Sequence, residues 1–299
     1  MATIHPTAVH PTAIHPTGIH PTAIVDPRAE LASDVEIGAY TLVGARVRMG
    51  AGCRVGPHCV IEGNTTLGER NRIFQFCSIG AEPQDKKYQG EDTRLMIGND
   101  NTIREFCTFN LGTAQGGGVT TVGDRNWIMA YVHLAHDCQV HNDTIFANNA
   151  QLAGHVEVHD FAILGGFTVV HQFVRIGAHV ITGMGSIVLQ DIPPFVLAQG
   201  NTAKPYGLNS EGLKRRGWSP ERLAVLKRAY KALYRQDLSL ADASKTIVDL
   251  ATDVLSTDNL TSQDIAMLTS FLGSSARHHS RVKRNKRRVK RDAGHNICA

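Results

Sequence analysis

The chain has 299 residues and a formal net charge of +4; aromatic residues make up 6% of it, and 28 residues are glycine. This length allows one large domain with a buried core and a smaller second domain. The scarcity of large rings argues against an aromatic-rich core, and the glycines favour a repetitive fold with tight turns. No apolar run approaches the roughly 20 residues that span a bilayer, so a transmembrane protein is excluded.

The amino terminus consists of four tandem copies of a five-residue unit, IHPTA, VHPTA, IHPTG and IHPTA, between Ile4 and Ala23. We interpret residues 1–18 as a repetitive extension, duplicated from the leader of the first strand and without chemistry of its own. A metal-binding histidine tract is the alternative.

From Ile37 onwards, an aliphatic residue returns every six positions. The first series is Ile37, Val43, Met49, Val55, Ile61, Leu67, Ile73 and Ile79; the second is Val122, Ile128, Leu134, Val140, Phe146, Leu152, Val158, Leu164, Val170, Ile176, Thr182 and Val188. A helix repeats near 3.6 residues and a half-buried strand near 2, so neither explains this period. It predicts a triangular solenoid in which each hexapeptide forms one strand and one corner, and residues 18 apart stack.

The fold class is therefore mainly β, with a parallel β-helix predicted over residues 19–199. Glycine directly follows many of the aliphatic residues, and we expect it to permit the unusual dihedral angles of the corners. Two polar or glycine-rich stretches, 81–94 and 111–118, break the register. We predict that they form loops, which often carry function.

Beyond Pro193-Pro194 the pattern changes, and residues 200–275 are predicted to form a small α-helical domain. Ser219-Pro220-Glu221 is typical of a helix start, and apolar residues then recur at helical spacing from Leu223 to Leu233. A second helical stretch is predicted from about Ser262 to Leu272.

The basic charge belongs to the carboxyl terminus. Residues 277–299 hold nine Lys or Arg against Asp292, a net of +8, which leaves about −4 for the preceding chain. We interpret residues 276–299 as a solvated, disordered tail. Binding to nucleic acid or anionic lipid is one alternative, and an extension of the last helix is another.

The six cysteines show neither a CxxC pair nor a compact disulfide framework, and no signal peptide is recognisable. They lie at Cys53, Cys59, Cys77, Cys107, Cys138 and Cys298. We therefore expect reduced thiols and a cytoplasmic protein.

Histidines are concentrated in one part of the solenoid, at His133, His136, His155 and His171. A spacing of 18 residues stacks His136 under Gly154 and Gln172, and it stacks Asp137 under His155. Together with the 81–94 loop, these residues are expected to share one cleft.

General base catalysis fits this cluster, because a neutral imidazole can remove a proton from a sugar hydroxyl. Asp85 is the candidate partner of the base, and Gly154 would let a backbone N–H approach an oxyanion. Ordinary surface histidines are one alternative. A zinc site, which needs three converging imidazoles and an open position, is another, but the spacing does not favour it; no metal or cofactor is expected.

Several strings resemble those of the UDP-N-acetylglucosamine O-acyltransferases, from about residue 19 to residue 275. They are IHPTAIVDP, QDKKYQGEDTRL, GTAQGGG, HLAHDC, ANNAQLAGHV, GGFTVVHQF and AQGNTAKPYGLNSEGLKRRG. The resemblance implies a homotrimer of left-handed β-helices, each with a carboxyl-terminal helical domain. It also implies transfer of an (R)-3-hydroxyacyl chain from acyl carrier protein to the 3-hydroxyl of UDP-N-acetylglucosamine, the first step of lipid A biosynthesis, without a covalent acyl-enzyme or a metal.

The same resemblance assigns roles to individual residues. His136 matches the general base, Asp85 the carboxylate that orients it, and Gly154 the oxyanion donor. The residues that match the sugar and acyl site are Lys87, His133, His155, His171 and Gln172. Those that match contacts to the nucleotide are Asn209, Glu211 and Arg215, with Arg216 as a further basic contact.

Two positions depart from or refine the family pattern. Asn110 stands where family members commonly carry histidine, which removes one polar or cationic contact. Met184 matches the position that limits acyl-chain length, and its bulk predicts a short chain, of about ten carbons, since each methylene left unburied forfeits roughly 0.8 kcal/mol. The alternative for Met184 is an ordinary core residue.

Two other functions remain open from the sequence. One is a different hexapeptide acyl- or acetyltransferase that uses acetyl-CoA. The other is a β-helical scaffold with a nucleic-acid-binding tail, although nucleic acid is not the partner that we expect.

Overall fold

The structure is a computed structural model that describes residues 18–254 and 259–274. Most of the predicted amino-terminal extension, the predicted basic tail and Cys298 lie outside these residues, so the predictions made for them stay predictions.

The described chain begins as a parallel β-helix with three sheets, which the chain visits in turn. The first sheet contains Ile24–Val25, Leu42–Val43, Val60–Ile61, Ser78–Ala81, Thr108–Asn110, His133–Leu134, Gln151–Leu152, Val169–Val170 and Ile187–Val188. The second contains Glu30–Leu31, Arg48–Met49, Asn64–Leu67, Arg94–Ile97, Val119–Val122, Gln139–Val140, Glu157–Val158 and Arg175–Ile176. The third contains Glu36–Ile37, Arg54–Val55, Arg72–Ile73, Thr102–Ile103, Trp127–Ile128, Ile145–Phe146, Ile163–Leu164, Ile181–Thr182, Val196–Gln199 and Lys204–Leu208.

We call the bend between the first and second sheets the first corner. The bend between the second and third sheets is the second corner, and the bend that returns to the first sheet is the third corner. Neighbouring strands pair in parallel, except that Lys204–Leu208 runs antiparallel to Val196–Gln199. The predicted left-handed parallel β-helix of hexapeptide repeats is confirmed.

The core of the β-helix is the column of inward-facing residues that the six-residue period identified. All members of both series are buried, including Thr182, which is the one polar member. The five described cysteines are buried free thiols, as expected. The narrow interior explains the small share of aromatic residues, because most inward positions have room only for an aliphatic side chain.

Most of the glycines that follow the inward residues have a different role from the one predicted; Gly80, with φ 87°, is the exception. The left-handed backbone conformation is instead adopted two residues later, by residues such as Tyr40 (φ 57°) and His58 (φ 56°). Gly38 does not adopt it; a Cβ at Gly38 would instead lie 2.6 Å from the backbone of Gly56 in the next coil. The prediction was therefore wrong for this position, where glycine allows adjacent coils to approach closely.

Both register breaks leave the β-helix at the first corner. Partners in adjacent coils are usually 18 residues apart, but they are 30 apart across the first break and 25 apart across the second. The extra residues, twelve and seven, form the two predicted loops. The second loop contains a short 3₁₀ helix, Ala114–Gly116.

The carboxyl-terminal region is helical from Ser210 onwards, whereas Lys204–Leu208, inside the predicted helical domain of residues 200–275, forms the last strand of the third sheet. The helical part contains α1 (Ser210–Arg215), α2 (Pro220–Tyr234), α3 (Leu240–Val254) and α4 (259–274). The Ser219 hydroxyl caps α2 by accepting a hydrogen bond from the Arg222 amide at 3.2 Å. Helix α3 was not predicted individually, although Ser239 and Asp242 form a capping arrangement at its start.

Arg175 joins the β-helix to α4. Its guanidinium donates to the Ser274 hydroxyl at 2.8 Å and to the Phe271 carbonyl at 3.0 Å, and it lies 4.2 Å from the centre of the Phe271 ring. Asp191 lies 3.3 Å from the same guanidinium. Of the helices in the described ranges, none is long and apolar enough to cross a membrane.

Candidate active site

The first corner holds two stacks of polar and aromatic side chains from successive coils. One stack is His136, Gly154 and Gln172, and the other is Asp137, His155 and Phe173. The His155 amide donates to the His136 carbonyl at 3.0 Å, and the Phe173 amide donates to the Gly154 carbonyl at 3.1 Å. The rings of His155 and Phe173 are parallel, with centres 4.4 Å apart. The predicted stacking is confirmed.

His136 forms its hydrogen bond with the residue that follows it. Asp137 has φ 61°, in the left-handed region, and its carboxylate lies 2.8 Å from His136 Nδ1. A carboxylate that accepts from Nδ1 leaves Nε2 of a neutral imidazole as a proton acceptor. His136 Nε2 forms no hydrogen bond with any described residue.

The Asp137 carboxylate is held by the second loop as well. The Thr113 amide donates to Oδ1 at 2.8 Å, and the Thr113 hydroxyl donates to Oδ2 at 2.6 Å. Burial by itself would raise the pKa of Asp137, but hydrogen bonds from His136 and Thr113 outweigh it and lower the pKa below its usual range. Asp137 is therefore a fixed, ionised acceptor.

Glycine at position 116 leaves room for this carboxylate. A Cβ at Gly116 would lie 2.1 Å from Asp137 Oδ2, closer than real atoms approach. Sequence reasoning missed Thr113 as a functional residue. Its signal was the GTAQGGG string, in which Thr113 also caps the 3₁₀ helix.

The prediction that Asp85 orients the base is wrong for this geometry. The carboxylate bonded to His136 is Asp137, whereas the Asp85 carboxylate accepts from the Lys87 amide at 3.0 Å within the 81–94 loop. That loop leaves the first corner two coils before His136. Asp85 and the exposed Lys87 thus lie at the same corner as the histidines.

Gly154 lies against the face of the base. A Cβ at Gly154 would be 2.5 Å from His136 Cε1 and 2.7 Å from Nε2, closer than real atoms approach. The Gly154 N–H donates to none of the described residues. This position is compatible with the predicted oxyanion donor.

The other predicted histidines differ in their surroundings. His133 Nδ1 lies 2.7 Å from the Thr108 hydroxyl, and burial lowers the pKa of His133. His155 Nε2 lies 3.6 Å from Asp137 Oδ2. His171 is exposed on the same corner two coils above His136, which is roughly 10 Å along the axis.

Asn110 fastens the first loop to the coil. Its side-chain amide donates to the Glu82 carbonyl at 3.0 Å, and the residue is buried. Family members commonly carry histidine at this position. In this chain, the side chain of Asn110 instead holds the backbone of the first loop.

The predicted nucleotide contacts line a separate groove of about 470 Å³ between α1 and the third sheet, which Asn209, Glu211, Arg215 and Arg216 all border. Asn209 is buried; its amide donates to the His179 carbonyl at 2.9 Å, and its oxygen accepts from the Gly212 amide. Asn209 thus caps α1. The Arg216 guanidinium lies 4.3 Å from the centre of the Phe161 ring.

Met184 lies at the third corner and is 81% exposed, so the alternative of an ordinary core methionine is wrong. The described chain therefore places its candidate residues in three regions: the first corner, the third corner, and the groove beside α1. A single copy brings together the base and its supports but not these three regions.

Two groups of side chains in the described residues have their ligand atoms close enough to hold a metal ion. One is His136, Asp137 and His155, and the other is His141, Glu157 and His159 at the second corner. In the first group, the hydrogen bonds of Asp137 to Thr113 and His136 suit a proton-transfer pair.

Comparisons with known proteins agree with this geometry. Residues 191–279 match the family described as UDP-N-acetylglucosamine O-acyltransferase, domain 2, and residues 120–154 match the bacterial transferase hexapeptide family. An acyl-[acyl-carrier-protein]–UDP-N-acetylglucosamine O-acyltransferase of Thiobacillus denitrificans is 65% identical over 81% of this chain and 88% of its own length.

Solved structures are similar along most of the chain. LpxA from Acinetobacter baumannii has a TM-score of 0.81 and 42% identity, and covers 86% of this chain and 97% of its own. UDP-N-acetylglucosamine O-acyltransferase from Moraxella catarrhalis has a TM-score of 0.81 and 41% identity, with the same coverage.

Proposed function

This chain is an acyltransferase that belongs to the UDP-N-acetylglucosamine O-acyltransferase family, and from that premise we propose that it moves an (R)-3-hydroxyacyl chain from acyl carrier protein to the 3-hydroxyl of UDP-N-acetylglucosamine. This reaction is the first step of lipid A biosynthesis. The observation that carries the proposal is the His136–Asp137 pair, whose free Nε2 lies beside Gly154. The relatives are themselves named for UDP-N-acetylglucosamine, and the Thiobacillus denitrificans enzyme also for acyl carrier protein, which supports the same substrates here.

Transfer proceeds by general base catalysis. His136 Nε2 removes the proton of the 3-hydroxyl as its oxygen attacks the thioester carbonyl carbon. The tetrahedral intermediate then collapses, the C–S bond breaks, and the imidazolium returns the proton to the departing thiolate. The acyl group passes directly to the sugar, so no covalent acyl-enzyme forms. Asp137 stabilises the imidazolium that exists between the two proton transfers.

Gly154 serves as the oxyanion donor in this mechanism. A backbone N–H beside the base can donate to the oxygen that becomes negative when the hydroxyl attacks. Because the glycine has no side chain, the thioester carbonyl can approach both this N–H and Nε2. His155, His133, His171 and Gln172 line the same corner and contact the sugar and the acyl chain.

The other predicted residues bind the rest of the acceptor. Asp85 and Lys87, in the first loop, contact the sugar. Glu211, Arg215 and Arg216 contact the nucleotide, and a guanidinium suits its diphosphate. Asn209 supports these contacts by capping α1.

A homotrimer accounts for the separation of the three regions. The first corner of one copy and the third corner or groove of its neighbour would form one cleft, with Met184 closing the far end of the acyl site. Met184 then sets the preference for a short chain. The nature of both substrates supports a cytoplasmic reaction.

A direct assay tests the proposal. The full chain is incubated with UDP-N-acetylglucosamine and defined 3-hydroxyacyl chains on acyl carrier protein, and the O-acylated product is quantified. We expect turnover that is lost in His136→Ala. Retained activity in that variant would contradict the mechanism, and turnover with acetyl-CoA alone would favour the second candidate, a different hexapeptide acetyltransferase.

A further inference from the structure

A second cluster of histidines lies at the second corner, away from the candidate active site. His141 and His159 occupy equivalent positions in adjacent coils, and their rings are nearly parallel, with centres 4.8 Å apart. Glu157 ends between them: its Oε1 lies 3.3 Å from His141 Nε2 and 3.3 Å from His159 Nε2. Neither histidine has a part in the proposed reaction.

The separations within the cluster match those around a tetrahedral ion. Zinc binds imidazole nitrogen and carboxylate oxygen at about 2.0 Å, so two of its ligand atoms lie roughly 3.3 Å apart. Both nitrogen–oxygen distances have that value, and all three ligand atoms lie within 4.8 Å of one another. Because the two rings are nearly parallel, one of them must turn for both nitrogens to face the same ion.

The hydrogen bonding of the cluster is incomplete without an ion. His159 Nε2 is buried and forms no hydrogen bond within the described residues, although Glu157 is close. Burial lowers the pKa of His159, whereas Glu157 raises the pKa of His141. One carboxylate oxygen thus serves two imidazoles, of which one lacks a satisfactory partner.

We propose that His141, Glu157 and His159 bind a divalent transition-metal ion, with zinc as the best fit, through two Nε2 atoms and one carboxylate oxygen. The side chains are 39%, 28% and 30% exposed, so an ion can approach from solvent and keep water as a fourth ligand, provided that the His159 ring turns its buried Nε2 towards it. Arg175, on the next strand, is the neighbouring positive charge, and Asp191 partly neutralises it.

The position of the site gives the ion a structural effect. The His159 ring packs edge-on against Phe271 of α4, with centres 5.9 Å apart. The same helix holds Arg175 through Phe271 and Ser274. An ion that fixes His159 therefore stabilises the junction between the β-helix and the helical domain, in addition to linking two coils.

Zinc titration of the full chain tests the site. Metal-stripped protein is titrated with zinc chloride by calorimetry, in wild type, His159→Asn, His141→Asn and His58→Asn. The histidines of the amino-terminal repeats and of the active site contribute a background common to all four proteins. His58 is the matched control, since it is an exposed corner histidine stacked between Tyr40 and Phe76.

We expect wild type and His58→Asn to bind one more zinc ion per chain than the other two variants, and to gain several degrees of thermal midpoint with zinc. The same stoichiometry and the same shift in all four proteins would overturn the proposal. Circular dichroism without zinc reports whether each variant folds. If His159→Asn fails to fold, Glu157→Gln decides in its place, because it keeps the side-chain shape and removes the charged ligand.

Discussion

Asp137 turns back on the residue that precedes it, so that its carboxylate lies 2.8 Å from His136 Nδ1. Adjacent side chains on an extended strand point to opposite faces, and the contact exists because Asp137 adopts φ 61° at the corner. The base and the carboxylate that supports it are therefore consecutive residues. Thr113, in the loop of the preceding coil, holds this carboxylate through hydrogen bonds.

Asp137→Asn should lower kcat by roughly a hundredfold to ten-thousandfold, because an amide neither fixes the tautomer of His136 nor stabilises its positive charge. Steady-state kinetics at saturating substrates measure this effect. Asp85→Asn is the matched control and should mainly raise KM for the acceptor. A larger loss of kcat in Asp85→Asn than in Asp137→Asn would reverse the two assignments.

Gly154→Ala should abolish most activity while leaving the protein folded. The new Cβ would lie 2.5 Å from His136 Cε1, so the imidazole must move and the approach to the oxyanion donor is blocked. Gly207→Ala is the control, because a Cβ there has no atom within 4 Å. Activity and thermal midpoints of both variants check this prediction, which full activity in Gly154→Ala would contradict.

Met184→Gly should shift the preferred acyl chain towards longer ones. Four further methylenes buried in the opened groove contribute about 3 kcal/mol, or roughly a hundredfold in relative kcat/KM. Competition between chains of ten and fourteen carbons on acyl carrier protein measures the ratio. An unchanged ratio would remove Met184 from the specificity site.

His179 should make the protein less stable in mild acid. Burial between aromatic rings, with the charges of Arg216 and Arg222, lowers its pKa from 6.5 to about 4. Between those values the unfolded chain binds the extra proton, so this stability is complete above pH 6.5 and falls as the pH drops towards 4, by up to about 3 kcal/mol.

His179→Phe should flatten this pH dependence, since phenylalanine cannot take up a proton. Phe161, one coil below, already adopts the same left-handed conformation, so the replacement introduces no unusual strain. Denaturant unfolding at pH 5 and pH 7 measures the difference, with His58→Phe as the exposed control. An equal pH dependence in wild type and His179→Phe would exclude His179 as the cause.

The five buried cysteines should resist thiol reagents in the folded protein. Burial raises the pKa of Cys138 to about 12, which suppresses its reactive thiolate as well as its access. Mass spectrometry after native labelling should find at most one label, on Cys298. Rapid labelling of Cys53 or Cys138 without unfolding would contradict the buried core.

The β-helix could be predicted because the six-residue period recurs in every coil. Each inward-facing side chain lies in a narrow, dry interior, which favours an apolar residue at that position. The 18-residue coil also predicted that Gly154 stacks on His136 and that His155 stacks on Asp137. The role of glycine was not predicted, because close contact between coils depends on a spacing that no local pattern encodes. The sequence did not indicate that Asp137 bonds to the base, because the left-handed turn that brings its carboxylate to the imidazole of His136 is not encoded in composition or spacing. The separation of Met184 from His136 was not predicted, although the 48 residues between them amount to two coils and two further hexapeptides and lie beyond both insertions, so the period alone places the two residues at different corners.

The β-helix resumes its regular pairing beyond each insertion, and the register shifts only locally, at Ala81, where the first loop leaves its strand. Strand Arg94–Ile97 pairs with Asn64–Leu67 residue for residue, although thirty positions separate them. A corner can therefore accept added residues while the strands of the following sheet keep their residue-for-residue pairing. In this architecture, evolution and protein engineers alike can exchange loops at the first corner as modules, and chemistry becomes separable from the scaffold that displays it.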